Sequence, residues 1–184
     1  MTPRIILLNG VGSVGKSTTA GALQSVTAAP FLRVAVDAFL DMLPTGLIGH
    51  HDGLVFATRD DQGHPSIAIH SGPVLERAMR GMRHAVAAMA AQGNHLIVDE
   101  VMVSADKMRD YRALLTPFSL HVIGLFAPLE VLEARERARG DREIGLARWQ
   151  FDRVHRGMNY DLRLDTMTAT PLENACKIRD AFAL

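Results

Sequence analysis

Gly10-Val11-Gly12-Ser13-Val14-Gly15-Lys16-Ser17 matches the pattern G-x-x-x-x-G-K-[ST] at every fixed position. The residues on either side decide how to read it. Ile5–Leu8 before it is a short unbroken apolar run with two β-branched members, the pattern of a strand covered on both faces. Ser17–Ala28 after it reads as a helix. Strand, glycine-rich turn and helix together form the setting in which backbone N–H groups cradle phosphate. Gly10, Gly12 and Gly15 permit backbone angles that other residues resist and allow close approach of the phosphates. The helix N-terminus adds the positive end of its dipole. Lys16 places a point charge at the β- and γ-phosphates, and the Ser17 hydroxyl is placed for Mg²⁺. Val11, Ser13 and Val14 complete the loop, and Thr18, one residue further, reaches toward the α-phosphate. Residues 10–18 are therefore the expected ATP contacts. The chain has only three lysines, at 16, 107 and 177, so a lysine inside this loop is informative.

Leu32–Val36 is a second strand that ends at Asp37, and residues 38–43 make one or two helical turns stopped by Pro44 and Gly46. Residues 44–70 are the least regular stretch, with a hairpin expected around Asp60-Asp61-Gln62-Gly63. Ser71–Gln92 reads as a long helix, with Ser71 as cap, Pro73 in its first turn and Gly93 as its stop. Leu96–Val98 is a third strand, ending in Asp99-Glu100. A helix over Ser104–Leu115, a strand over Leu120–Phe126, helices at 128–139 and 146–157, a strand over Leu162–Leu164 and a last helix from Pro171 complete the order. This alternation predicts a three-layer α/β/α fold around a five-stranded parallel sheet. The whole chain, 1–184, is expected to form a single domain. Residues 44–70 would be a pocket-shaping insertion, and 135–145 an arginine-rich lid.

Ligands of open parallel sheets bind beyond the carboxyl ends of the strands, where two acids are expected. Asp99 closes an apolar strand, the position from which a carboxylate reaches a nucleotide's Mg²⁺, so Ser17 and Asp99 are the expected metal-side residues. Asp37 can face the γ-phosphate and accept a proton from an attacking hydroxyl; it can equally cap the helical turn after it. Asp41, Asp60 and Asp61 read as solvated charges. Arg135 and Arg139 share a helix face, and Arg142 follows the Gly140 break. Planar guanidinium groups there would stabilise the charge of a transferring phosphoryl group. The competing expectation is a solvated helix whose arginines pair with Glu133, Glu136 and Glu143. His155, Arg156 and Tyr160 either border the cleft or only pack, and Glu100 points away from Asp99 if the strand continues. Trp149 and Phe151 are read as core residues. Asp165-Thr166 either lies near the adenine or forms an ordinary turn.

Lysine plus arginine equals aspartate plus glutamate, at 20 each. That balance argues against a nucleic-acid-binding face and against electrostatic docking on a membrane. Cys176, the only cysteine, excludes an intrachain disulfide and reads as a semi-buried helical residue. The N-terminus does not resemble a signal peptide, because its apolar run breaks at Asn9-Gly10, and no apolar run is long enough to span a bilayer. A cytoplasmic protein is the expectation.

Several stretches together resemble the chloramphenicol phosphotransferase-like family of P-loop kinases over nearly the full length. They are Ile6–Asn9 running into the loop, Leu23-Gln24-Ser25-Val26, Val36-Asp37, Ile97–Val101, Ala138–Arg142, Val154-His155, Tyr160-Asp161 and Asp165-Thr166. Segment 38–70 matches the family pattern least. The resemblance implies a nucleoside-monophosphate-kinase-like topology, ATP and Mg²⁺ as cofactors, and phosphorylation of a hydroxyl with Asp37 as general base. Lys16, Arg135, Arg139 and Arg142 would assist transfer. In that family chloramphenicol is phosphorylated at a primary hydroxyl, which inactivates the antibiotic. The alternatives are a kinase of another metabolite (a nucleoside, a sugar or a shikimate-like acid) and a nucleotide-hydrolysing switch with no small-molecule acceptor. The sequence leaves the acceptor and the oligomeric state open.

Overall fold

Strand β1 (Arg4–Asn9) is buried along nearly its whole length, as an unbroken apolar run must be when both faces of a sheet are covered. The computed structural model describes residues 2–140 and 143–184. Its elements in chain order are β1, α1 (Lys16–Val26), β2 (Phe31–Ala35), α2 (Val36–Leu40), a 3-10 turn (Thr45–Leu47), β3 (Leu54–Asp61), β4 (His64–Ser71) and α3 (Pro73–Ala91). Then follow β5 (His95–Glu100), α4 (Ala105–Leu114), β6 (Ser119–Phe126), α5 (Leu129–Arg139), α6 (Leu146–Val154), β7 (Leu162–Asp165) and α7 (Pro171–Phe182).

Five strands form one parallel sheet in the order β2-β5-β1-β6-β7. Alternate residues of β1 face opposite layers. Ile6 and Leu8 pack with Ala20 and Leu23 of α1 and Ala175 and Ile178 of α7. Ile5 and Leu7 pack with Met82 and Val86 of α3 and Met108 and Tyr111 of α4. The expected three-layer arrangement is therefore present. β5 lies on one side of β1 and the next strand, β6, on the other, so the chain switches direction across β1. The crevice beyond the carboxyl end of β1 is where such sheets bind ligands.

β3 and β4 form a separate antiparallel hairpin outside this sheet. Its two-residue turn is Gln62-Gly63, at φ 54° and 84°, the pair of positive angles that matches the twist of the flanking strands. Inward residues of the hairpin build a third apolar cluster with α2 and α3, centred on Leu54, Leu75 and Met79. Ser71 is the last residue of β4 and not the cap of α3; that place belongs to Gly72, with Pro73 opening the helix as expected. Ser104 does cap α4, accepting a hydrogen bond from the Asp106 N–H, and Gly140 closes α5 in the left-handed conformation. No helix among the described residues is long and apolar enough to cross a membrane.

Candidate active site

A cleft of about 550 Å³ opens beyond the carboxyl ends of β1, β2 and β5, with the loop between β1 and α1 as its floor. Two backbone facts shape that floor. Gly15, at φ 98°, turns the chain into α1, a conformation that costs a side-chain-bearing residue energy. At Gly10 a Cβ would stand 2.8 Å from the Leu125 carbonyl oxygen, so only glycine lets β1 leave the sheet so close to β6. Neither Gly10 nor Gly12 is in the positive-φ region, contrary to the expectation that all three glycines serve backbone angles; a Cβ at Gly12 would instead meet the Gln150 amide oxygen at 3.2 Å. Ser13 does take a positive φ, 62°, a strained angle of the kind that collects at functional loops.

Lys16 is buried and its Nζ donates to the carbonyls of Gly10 (2.9 Å) and Val11 (3.0 Å), which curls the ammonium over the loop. Ser17 Oγ donates to Asp99 Oδ2 at 2.7 Å. The pairing of β1 with β5 sets this contact, because Leu8 is level with Asp99. A hydroxyl and a buried carboxylate side by side form an all-oxygen donor set, the chemistry that suits Mg²⁺. Thr18 Oγ1 donates to the Gly15 carbonyl at 2.8 Å and lines the cleft.

Asp37 lines the cleft and is exposed, but it lies in the first turn of α2 and not at a strand end, because β2 stops at Ala35. The cap position is Ala35, so Asp37 is not the helix cap. Val36 and Leu40, on either side of it, also face the cleft. Arg135 donates to the Thr166 carbonyl at 2.6 Å and to its Oγ1 at 3.1 Å, which fixes the guanidinium against the turn after β7. Arg139 lies one helical turn further, at the cleft rim. Arg142 lies outside the described residues. Two of the three glutamates expected as partners of these arginines, Glu133 and Glu136, make other contacts. Glu133 pairs with Arg148 at 2.7 Å, and buried Glu136 accepts from the N–H groups of Gly145 (2.8 Å) and Ala147 (2.7 Å). Asp61 is likewise not merely solvated, because Arg148 reaches it at 3.5 Å.

Glu100, next to Asp99, points into the α4 side. Tyr111 O–H donates to its Oε1 at 3.0 Å and the Val101 N–H to its Oε2 at 3.1 Å. Burial pushes the Glu100 carboxyl upward, against the pull of nearby Lys107, and burial with this carboxylate also pushes the Tyr111 phenol upward. His155 and Tyr160 are in contact, Nδ1 to Oη, at 2.7 Å. Asn9 Nδ2 donates to Tyr160 Oη (2.8 Å) and to the Val154 carbonyl (2.9 Å), while Asn9 Oδ1 accepts from the Met102 N–H (2.9 Å). Burial, then the charges of Arg163 and Lys16, lower the His155 pKa to about 4; burial raises that of Tyr160 to about 12. This network braces β1, β5 and α6 behind the loop and forms no part of the cleft wall.

Trp149, expected in the core, lines the cleft, and Phe151 lies on the surface. The sequence did not single out Gln150, which is nearly completely buried and accepts the Gly12 N–H on its Oε1 at 2.7 Å. A signal was available. Leu146, Ala147, Gln150 and Val154 are the buried face of α6, and Gln150 is the polar member of that stripe. Asn174 was also missed. It lines the cleft beside Thr166, its Nδ2 donates to the Asp165 carbonyl at 3.1 Å, and its buried Oδ1 has no hydrogen-bond partner among the described residues.

Comparison with known proteins agrees with this architecture. The model of the family described as chloramphenicol phosphotransferase-like protein matches residues 3–183. A protein of Mycobacterium tuberculosis (strain H37Rv), assigned by name only as an O-phosphotransferase, is 29% identical over 183 residues, covering 95% of this chain and 79% of its own. Among solved structures, an APS kinase of M. tuberculosis in complex with AMPPNP and APS superposes with a TM-score of 0.69 at 16% identity, over 100% of this chain and 99% of that one. A sugar kinase from Janibacter sp. gives 0.68 at 17% identity, over 98% and 95%. These structural likenesses carry the fold. The family match, covering nearly the whole chain, carries membership: the chain belongs to the chloramphenicol phosphotransferase-like family.

Proposed function

We propose that this family member binds ATP with Mg²⁺ on the 10–18 loop and transfers the γ-phosphate to a hydroxyl of an uncharged, largely apolar small molecule. The carrying observation is the place of Asp37: it lies in the same cleft as the loop and directly beside an apolar wall. The loop amides and Lys16 hold the phosphate tail, and Ser17 and Asp99 hold Mg²⁺. When bound, the ion neutralises charge on the β- and γ-phosphates. Asp37 accepts the proton of the incoming hydroxyl. Arg139 and Arg142, from the 135–145 segment acting as a lid, offset the charge that spreads over the γ-oxygens. Arg135, held by Thr166, sets the geometry of that segment and of the base end of the cleft. The nucleobase then lies near Thr166, and the free acceptor of Asn174 suits an exocyclic amine.

The far half of the cleft favours an apolar alcohol over a sugar acid or polyol. Its lining includes Leu40, Leu54, Phe56, Ile69, Leu75 and Met79. Chloramphenicol is thus a reasonable first acceptor to try, and inactivation of an antibiotic is the corresponding role. In this account the chain works as a single kinase domain, and residues 44–70 supply the acceptor wall. The test is ADP release from MgATP with and without hydroxyl compounds that range from chloramphenicol to gluconate. Turnover that rises only with apolar alcohols supports the assignment. Hydrolysis at the same rate without any acceptor would instead indicate a nucleotide-driven switch.

A further inference from the structure

The Gly12 N–H belongs to the loop that would hold phosphate, and its acceptor is a side chain of the chain itself. Gln150 Oε1 takes that N–H at 2.7 Å, and the residue is 3% exposed. An amide carbonyl presented to a loop N–H occupies the place of a phosphate oxygen. One N–H cannot fully serve both. Gly12 lies three residues ahead of Gly15, where α1 begins, on the limb of the loop remote from the helix N-terminus. The amides at the helix start serve the α and β end of the tail. In that binding mode the Gly12 N–H would be left to face the terminal phosphate.

The helix that carries Gln150 is tied to the rest of the cleft. Glu136 of α5 accepts the N–H groups of Gly145 and Ala147, at its first turn. Arg148 joins Glu133 of α5 to Asp61 at the tip of the hairpin. The Ile67 N–H of β4 donates to the Gly145 carbonyl at 3.0 Å. Trp149, the only tryptophan, adjoins Gln150 and lines the cleft. Whatever moves Gln150 thus acts on the hairpin that walls the acceptor end.

We propose that Gln150 is a positioning residue that reads the third phosphate: its carbonyl holds the Gly12 N–H and yields it to the γ-phosphate, which releases α6 and the hairpin attached to it. This rests on the proposed binding of nucleotide to the loop. ADP, which lacks that phosphate, leaves the Gln150–Gly12 bond in place. ATP breaks it, so part of its binding free energy goes into freeing α6, and ATP is distinguished from ADP by the state of the acceptor wall.

The test compares MgADP with the magnesium complex of AMPPNP, by calorimetry and by Trp149 emission. In Gln150→Leu the competitor is gone, so AMPPNP binds about three- to tenfold tighter, the factor expected for one hydrogen bond, while ADP affinity stays within about twofold. In Gln150→Glu the competing acceptor is charged and repels the γ-phosphate. AMPPNP then binds about tenfold weaker or more, and ADP changes less. In the wild type, AMPPNP shifts Trp149 emission and ADP does not, a readout that needs no variant to fold. Equal shifts for the two nucleotides in both variants, or identical emission changes, would overturn the inference and leave the loop assignment intact. If the wild type binds neither nucleotide, the loop assignment fails and the inference fails with it.

Discussion

The two ends of the cleft are built on different principles. The phosphate end is made of backbone and of short-range register: a loop following β1, an ammonium folded onto it, and a carboxylate that β1–β5 pairing brings to Ser17. The acceptor end is made of side chains from a hairpin outside the sheet, packed on α2 and α3 around Leu54, Leu75 and Met79. In the proposed function the first arrangement would suit any nucleoside triphosphate and tolerate little change. The second would set which alcohol is accepted, and side-chain substitutions could then retune it without disturbing the sheet. Asp37 lines the cleft that both ends share.

The substitution with the largest expected effect falls in that shared cleft. Asp37→Asn should lower phosphoryl transfer by about 10²–10⁴ while ATP affinity, measured by calorimetry, stays within a few-fold. Transfer at the wild-type rate would remove Asp37 from the chemistry. Next, Leu75→Ala opens a cavity in the third cluster and should cost about 2–5 kcal/mol in urea unfolding. If the ends are separate, the folded fraction of this variant still binds ATP normally. A smaller effect is expected for Phe56→Ala, at the wall and 37% exposed: about a tenfold higher KM for the acceptor, with the KM for ATP unchanged. A matching rise in both constants would show that the wall and the loop are one unit.

The smallest expected effect concerns pH and the network behind the loop. His155 is held neutral in the fold down to about pH 4, whereas the unfolded chain takes up that proton near pH 6.5. The unfolded state therefore binds more protons across this window, and stability falls as pH drops from about 6.5 toward 4. After allowance for solvent screening the loss is roughly 1–2 kcal/mol. His155→Gln, which keeps a polar partner for Tyr160, should flatten this slope when urea midpoints at pH 7 and pH 5 are compared. An unchanged slope would place the acid sensitivity elsewhere.

The same division explains what the sequence discloses. Residues 10–18 and Asp99 are legible because loop chemistry and strand order constrain residue types at fixed spacings. The parallel sheet is legible because runs such as Ile5–Leu8 and Leu96–Val98 have no polar alternation. The hairpin turn at Gln62-Gly63 is legible from turn chemistry, but its packing on α3 is a long-range contact with no local signature. Trp149 reads as core because an aromatic residue on an amphipathic helix normally is; the cleft instead cuts into that helix face. His155 and Tyr160 carry the residue types of catalysis, yet Asn9 and Phe126 absorb them into a half-buried brace. Gln150 shows the reverse, a neutral residue without a motif that contacts the loop directly.

The most direct test of the whole account is phosphorus NMR of the protein with MgATP and chloramphenicol, repeated with other uncharged hydroxyl compounds. The account predicts a new phosphate-monoester resonance on the acceptor, growing in equal amount with ADP. Inorganic phosphate alone, formed at the same rate with every acceptor or with none, would contradict it.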